Sequence, residues 1–178
     1  MKTFTTKSNK KIYVWDNLVN YSQAYTFFSY ASNSFYRIGW DDGSSEERRK
    51  HKYMHCLLTF EESESAGILP IVLNSDISKN FNGESYKKSV INLSHPSDVY
   101  FPHTHEEKYV VLYYANLSWY THWYGETLFY NEDLSEIELS LPYTPQRLIM
   151  FEGSIPHSIR PQSFLADSHR FTYAMFFN

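Results

Sequence analysis

From residue 87 onward the sequence is a succession of short strand-forming segments. They read "KKSVINLS" (87–94), "KYVVLYYAN" (108–116), "GETLFY" (125–130), "EIELSL" (136–141), "RLIMF" (147–151), "HSIRPQ" (157–162) and "RFTYAMFF" (170–177). Most are rich in β-branched or aromatic residues, which pack well on a pleated surface. Polar, Gly- or Pro-bearing links separate them. Short strands at regular spacing point to a sandwich or barrel rather than a parallel α/β sheet.

The first half reads differently. "KIYVWD" is an opening strand, and Asp16 is placed to cap a helix beginning near Asn17. Leu18, Tyr21, Tyr25 and Phe28 follow helical spacing there. "WDDGSSEERRKHK" (40–52) is polar and reads as a loop or a short exposed helix. "GILPIVLNSDISKNF" (67–81) is read as a second helix with Pro70 in its first turn. Helices first and strands after describe an α+β domain, mainly β, with helices packed on one sheet. The 178 residues fit one domain, 1–178, with no internal repeat or low-complexity tract.

Aromatic content is high, with 16 Tyr, 13 Phe and 4 Trp, as strand-rich folds favour. A formal charge of −4 gives no basic footprint for nucleic acid. The single cysteine, Cys56, allows no internal disulfide and fits a reducing compartment. The N-terminus lacks the apolar core of a signal peptide, and no apolar run is long enough for a bilayer. A soluble cytoplasmic protein is expected, and the sequons at Asn92 and Asn116 read as chance matches.

The chemistry centres on "PHTHEEKYVVLYYAN" (102–116). In a strand, residues i and i+2 point to one side. His105 and Glu107 therefore face together, and so do His103 and His105. Either pair offers two corners of a metal site, and His157, at the start of a late strand, offers a third. Two histidines with a carboxylate form the facial triad of non-haem Fe(II) oxygenases, whereas His103, His105 and His157 form a three-histidine set. Taken alone, a His-x-Glu pair is more often a polar turn. Arg170 and Thr172 also share a face, and a guanidinium beside a hydroxyl makes a carboxylate clamp. The bland alternative is a surface arginine on a late strand. Tyr113 and Tyr114 point to opposite faces, so one faces inward and its hydroxyl needs a partner. A bound acid or nearby backbone could supply it.

The order of these parts is more specific than any one of them. His-x-Glu, Tyr-Tyr-Ala-Asn, Trp, Gly-Glu-Thr, a Pro-bearing turn, Arg-Leu-Ile-Met-Phe, Pro-His and Arg-x-Thr follow one another. Over residues 87–177 this order resembles the 2-oxoglutarate and Fe(II)-dependent dioxygenases, in particular the compact prolyl 4-hydroxylase-like branch of bacteria and phages. The resemblance implies a double-stranded β-helix (jelly-roll) core over 87–177, with 1–86 supplying helical support and the first strands. It implies Fe(II) held by His105, Glu107 and His157, and 2-oxoglutarate as co-substrate. Arg170 and Thr172 would hold the far carboxylate of 2-oxoglutarate, Tyr114 would hydrogen-bond it, and Leu128 would line its pocket. The implied reaction is hydroxylation of a C–H bond of a prolyl residue or a small molecule, using O2 and releasing succinate.

The sequence departs from the family pattern in several places. Glu replaces the commoner Asp ligand, Tyr124-Gly125 stands where Gly-Gly is usual, and Pro145-Gln146 where Pro-Gly is usual. The stretch from Glu107 to Tyr114 is short, which leaves open a slip of register to His103 and His105. The carboxylate set is preferred because it balances Fe(II) charge in the 2-oxoglutarate mechanism. It also weighs against a halogenase, where that position is left open for halide. The alternative function is a jelly-roll or cupin-type metal- or ligand-binding module without 2-oxoglutarate chemistry. Trp119, His122 and Trp123 are read as packing and surface residues, and His51, His55, His95 and His169 as ordinary polar ones.

Overall fold

Two antiparallel sheets lie face to face in the computed structural model, which describes residues 1–43 and 45–178. The strands are β1 (Lys2–Thr5), β2 (Lys11–Trp15), β3 (Arg37–Trp40), β4 (Tyr53–Leu58), β5 (Tyr86–Ser94) and β6 (Tyr109–Tyr114). They continue with β7 (Thr127–Tyr130), β8 (Ile137–Leu141), β9 (Leu148–Glu152), β10 (His157–Ile159) and β11 (Arg170–Phe177). Three α-helices, α1 (Tyr21–Asn33), α2 (Phe60–Ser65) and α3 (Ile68–Leu73), precede β5. The large sheet runs β1-β2-β9-β6-β11-β5-β4-β3 and the small one β10-β7-β8. A bridge between His103 and His157 adds the segment before β6 to the free edge of the small sheet. This is the jelly-roll core that the family resemblance implied, and a sandwich as the strand succession suggested.

The large sheet has two buried faces, and the alternation of β6 and β11 shows how they are divided. Val110, Leu112, Tyr114, Ala174 and Phe176 point to the small sheet and pack with Phe129, Ile149 and Phe151. Tyr109, Val111, Tyr113, Phe171, Tyr173, Met175 and Phe177 point the other way, onto Phe27 and Ala31 of α1 and Ile68 and Leu69 of α3. Because both faces are covered, these strands read as continuous apolar runs. Burying each large apolar side chain contributes about 1.5–3 kcal/mol. Helix α1 is docked by an edge-on Phe27–Tyr113 ring pair and by Tyr173 Oη, which donates to Phe27 O over 2.9 Å.

Several N-terminal expectations are corrected. Helix α1 starts four residues beyond Asn17, with Asn20 as its cap in a capping box with Gln23. Asp16 instead receives the guanidinium of Arg147, with Nε at 2.7 Å and Nη2 at 3.2 Å. That partner lies 131 positions away, so local sequence could not reveal it. The buried stripe of α1 is Ala24, Phe27 and Ala31, whereas Tyr21 and Tyr25 are 69% and 56% exposed. Strands β1, β3 and β4 and helix α2 had not been expected. Strands β3 and β4 extend the sheet beyond β5, and α2 begins at a Thr59/Glu62 capping box. Among the described residues no helix is long and apolar enough to cross a membrane.

Candidate metal centre and acid pocket

His103, His105 and His157 bring one ligand nitrogen each within 4.8 Å of the others. Backbone pairing sets this geometry. His103 N donates to His157 O over 3.0 Å, and His157 N donates to His103 O over 2.9 Å. His105 N donates to Gly153 O, and Gly153 N to Lys108 O, both over 2.8 Å. A Cβ on Gly153 would lie 1.9 Å from Glu107 O and 3.3 Å from His105 Cβ, so this close approach requires glycine. Nδ1 of His103 lies 3.0 Å from Phe101 O, and Nδ1 of His157 lies 3.0 Å from Ile155 O. A carbonyl can only accept, so each Nδ1 carries a proton and each Nε2 is left for a metal. The His105 ring packs on Phe176, and the His157 ring on Phe151.

Burial, reinforced by the neighbouring histidines, drives the His105 imidazole down to about 3 and that of His157 well below its ordinary value. Both are therefore held in the neutral form that ligates metals. A stability change with pH follows. Below about pH 6.5 the unfolded chain gains protons on these histidines and the folded chain does not, so stability falls as pH falls. The unfolding temperature of the metal-free protein is expected to drop between about pH 6.5 and about pH 5, above the usual carboxylate range. His157→Gln should flatten that drop. A wild-type curve already flat over this window would contradict the burial argument.

Glu107 lies outside the cluster. Its carboxylate pairs with Lys88 at 2.6 Å, and the Lys88 ammonium sits 4.9 Å from the centre of the Phe176 ring. Burial pushes the Glu107 carboxyl up, but its hydrogen bond to Lys88 and the ammonium charge outweigh this and leave it below its ordinary value. The i, i+2 rule correctly groups His103 with His105. Strand pairing then brings His103, rather than Glu107, to His157, because the bridge to β10 falls at residue 103 and Glu107 lies beyond the contact with Gly153.

Arg170 lines a cavity whose walls also include Thr172, Thr127 and the three histidines. It is fully buried. Nε donates to Gly125 O over 3.0 Å and Nη1 to Thr172 Oγ1 over 2.7 Å, while Nη2 has no partner among the described residues. Gly125 has φ +85°, and a Cβ there would lie 3.2 Å from Arg170 Cδ. The guanidinium lies 4.7 Å from the Tyr143 ring centre and 5.2 Å from that of Tyr114, and these two rings stack at 4.4 Å. Tyr114 is buried, with Oη 2.6 Å from Thr127 Oγ1.

Leu128 does not line this cavity. Strand β7 turns Thr127 and Phe129 inward, so Thr127 lines the cavity and Leu128, one residue on, belongs to the other face. Thr127 and Tyr143 were missed by the sequence reading. The inward alternation of "ETLFY" was the available signal for Thr127, and nothing local marked Tyr143. Trp119 packs on Tyr143 and Trp123, and Trp123 is buried, while His122 is exposed, in keeping with packing and surface roles.

No protein-family profile and no curated protein matches the chain by sequence. Solved structures do match its shape. A prolyl 4-hydroxylase from Pseudomonas putida aligns with a TM-score of 0.65 at 14% identity, over 94% of this chain and 92% of that one. A viral collagen prolyl hydroxylase from Paramecium Bursaria Chlorella virus-1 aligns at 0.62 and 10% identity, over 99% and 94%. The non-haem α-ketoglutarate-dependent epimerase SnoN of nogalamycin biosynthesis aligns at 0.64 and 8% identity, over 94% and 77%. The fold is therefore similar to the jelly roll of the 2-oxoglutarate/Fe(II) oxygenases, prolyl 4-hydroxylases among them.

Proposed function

We propose that the chain is an Fe(II)- and 2-oxoglutarate-dependent oxygenase. In this reading His103, His105 and His157 hold the metal, and Arg170 and Thr172 hold the distal carboxylate of the co-substrate. The observation that carries it is Arg170 Nη2, a buried guanidinium nitrogen with no partner among the described residues, in the cavity that the histidine cluster also lines. Leaving such a group unpaired is costly, and a carboxylate is the acceptor that fits its fork. The donor set fits the metal as well, since imidazole suits iron and three ligands leave positions open.

Bound Fe(II) with 2-oxoglutarate and O2 would supply the oxidation, one oxygen atom entering succinate as CO2 is lost from 2-oxoglutarate and the other hydroxylating a substrate C–H bond. The protein's part is placement. Carbonyls of Phe101 and Ile155 hold two imidazole rings. Thr172 and Gly125 fix the guanidinium. Val110, Leu112, Ala174 and Phe176 give the cavity apolar walls that limit water. A second opening, lined by Trp40, Arg48, Thr104, Glu106 and Leu134, reaches His103 and His105 from outside and is the approach for a prolyl peptide or small-molecule substrate. A cytoplasmic setting agrees with the single free Cys56.

A metal-binding jelly roll without this chemistry leaves Arg170 its contacts to Gly125, Thr172 and the tyrosine rings but gives Nη2 no acceptor. The two readings separate in one experiment. Purified chain with Fe(II) and 2-oxoglutarate is expected to release succinate, and Mn(II)-loaded chain to bind 2-oxoglutarate in calorimetry. Absence of both would reject the oxygenase reading.

A further inference from the structure

Asp42 is a carboxylate beside a candidate ligand histidine, His103, that the proposed function leaves unused. It lies just beyond β3, in the stretch read from sequence as a polar loop, yet its side chain is only 5% exposed. Its Oδ1 is 3.4 Å from His103 Nδ1, beside Phe101 O at 3.0 Å, so one N–H faces both acceptors. Its Oδ2 accepts from Tyr53 Oη over 2.8 Å and from Phe101 N over 3.1 Å. One oxygen thus anchors the segment that carries His103, and the other faces the His103 ring. Among the described residues no lysine or arginine pairs with Asp42. Asp42 also lines both the inner cavity and its outer mouth.

A buried carboxylate without a cation is costly unless hydrogen bonds or a nearby positive charge compensate it. A divalent ion on the opposite nitrogen of His103 would be such a charge. In return, a carboxylate behind a ligating imidazole fixes its tautomer and raises its basicity. Three histidines bring no negative charge to the metal, because Glu107 is held by Lys88. We propose that Asp42 is a positioning residue of the metal centre. It orients His103 through Nδ1 and places behind that ring the negative charge that the ligand set lacks. The proposal rests on the metal reading given above.

The test is calorimetric titration of the metal-free chain with Mn(II), with unfolding temperatures measured in parallel. Asp42→Asn keeps an oxygen for Tyr53 and Phe101 but turns an amide N–H toward the His103 N–H. Its Mn(II) Kd is expected to rise about 10- to 100-fold, the usual cost of losing an outer-shell partner, with the unfolding temperature unchanged. Tyr53→Phe removes an anchor of the loop and leaves the carboxylate in place. It is expected to lower the unfolding temperature and leave Mn(II) affinity as in the wild type. Wild-type affinity in Asp42→Asn overturns the proposal, and so does an equal loss in Tyr53→Phe, which would make Asp42 a structural pin. A wild-type chain that takes up no Mn(II) overturns the metal reading itself, a separate and recognisable result.

Discussion

His103→Ala is expected to abolish metal uptake, whereas Glu107→Gln should leave it nearly intact. The expectation follows from the site's geometry, since His103 contributes one of three mutually close ligand nitrogens and Glu107 contributes none. Removing a direct ligand must cost more than the roughly 10- to 100-fold typical of outer-shell changes. Glu107→Gln keeps the side-chain shape and loses the ion pair with Lys88, whose side chain is 38% exposed. Partly exposed pairs of this kind contribute about 0–1 kcal/mol, so only a small stability loss is expected. Anaerobic calorimetry with Fe(II), or with Mn(II) in its place, reads both variants. Should Glu107→Gln lose the metal while His103→Ala retains it, the carboxylate set is the correct one.

Arg170→Ala is expected to weaken 2-oxoglutarate binding roughly 10- to 150-fold with little change in metal affinity. A hydrogen bond to a charged group is worth about 1.5–3 kcal/mol, and about 1.4 kcal/mol corresponds to a decade in Kd. Arg170→Lys should recover only part of this, because an ammonium cannot reproduce the planar fork that bonds Gly125 and Thr172 and leaves Nη2 free. Thr172→Val should cost less for the ligand, about 0.5–1.5 kcal/mol for a neutral bond. It also strands Arg170 Nη1, which donates to Thr172 Oγ1. Succinate formation against 2-oxoglutarate concentration gives the KM of each variant, and unfolding temperatures show how far loss of the tyrosine stack contributes. A wild-type KM in Arg170→Ala would place the acid clamp elsewhere.

The jelly-roll half was legible because its strands are local patterns. The spans expected around β5 to β11 match the observed strands to within a few residues, and Arg170 and Thr172 face one cavity as their i, i+2 spacing required. What local pattern could not supply was pairing. Asp16 looked like a helix cap until Arg147 was brought beside it. Which of His103 and Glu107 lies beside His157 depended on a bridge between residues 54 positions apart in the chain. Leu128 and Thr127 differ by one step on a strand, and a one-step error of alignment exchanges the two faces. Asp42 was hidden because a polar stretch gives no sign that one of its carboxylates turns inward.

Strand β11 lies between β6 and β5 in the middle of the large sheet, although it follows every other strand of that sheet in the chain. Its position has a consequence for biosynthesis. While the ribosome is still making residues before Arg170, β5 and β6 each present an unpaired edge, and the strand that carries Arg170 and Thr172 is missing. Open edges of this kind recruit other strands, and long-range pairing of this kind is slow. The nascent chain therefore passes through an association-prone stage that lasts until β11 is available to pair. A single late step then joins the two halves of the sheet, covers both edges and delivers Arg170 to the cavity.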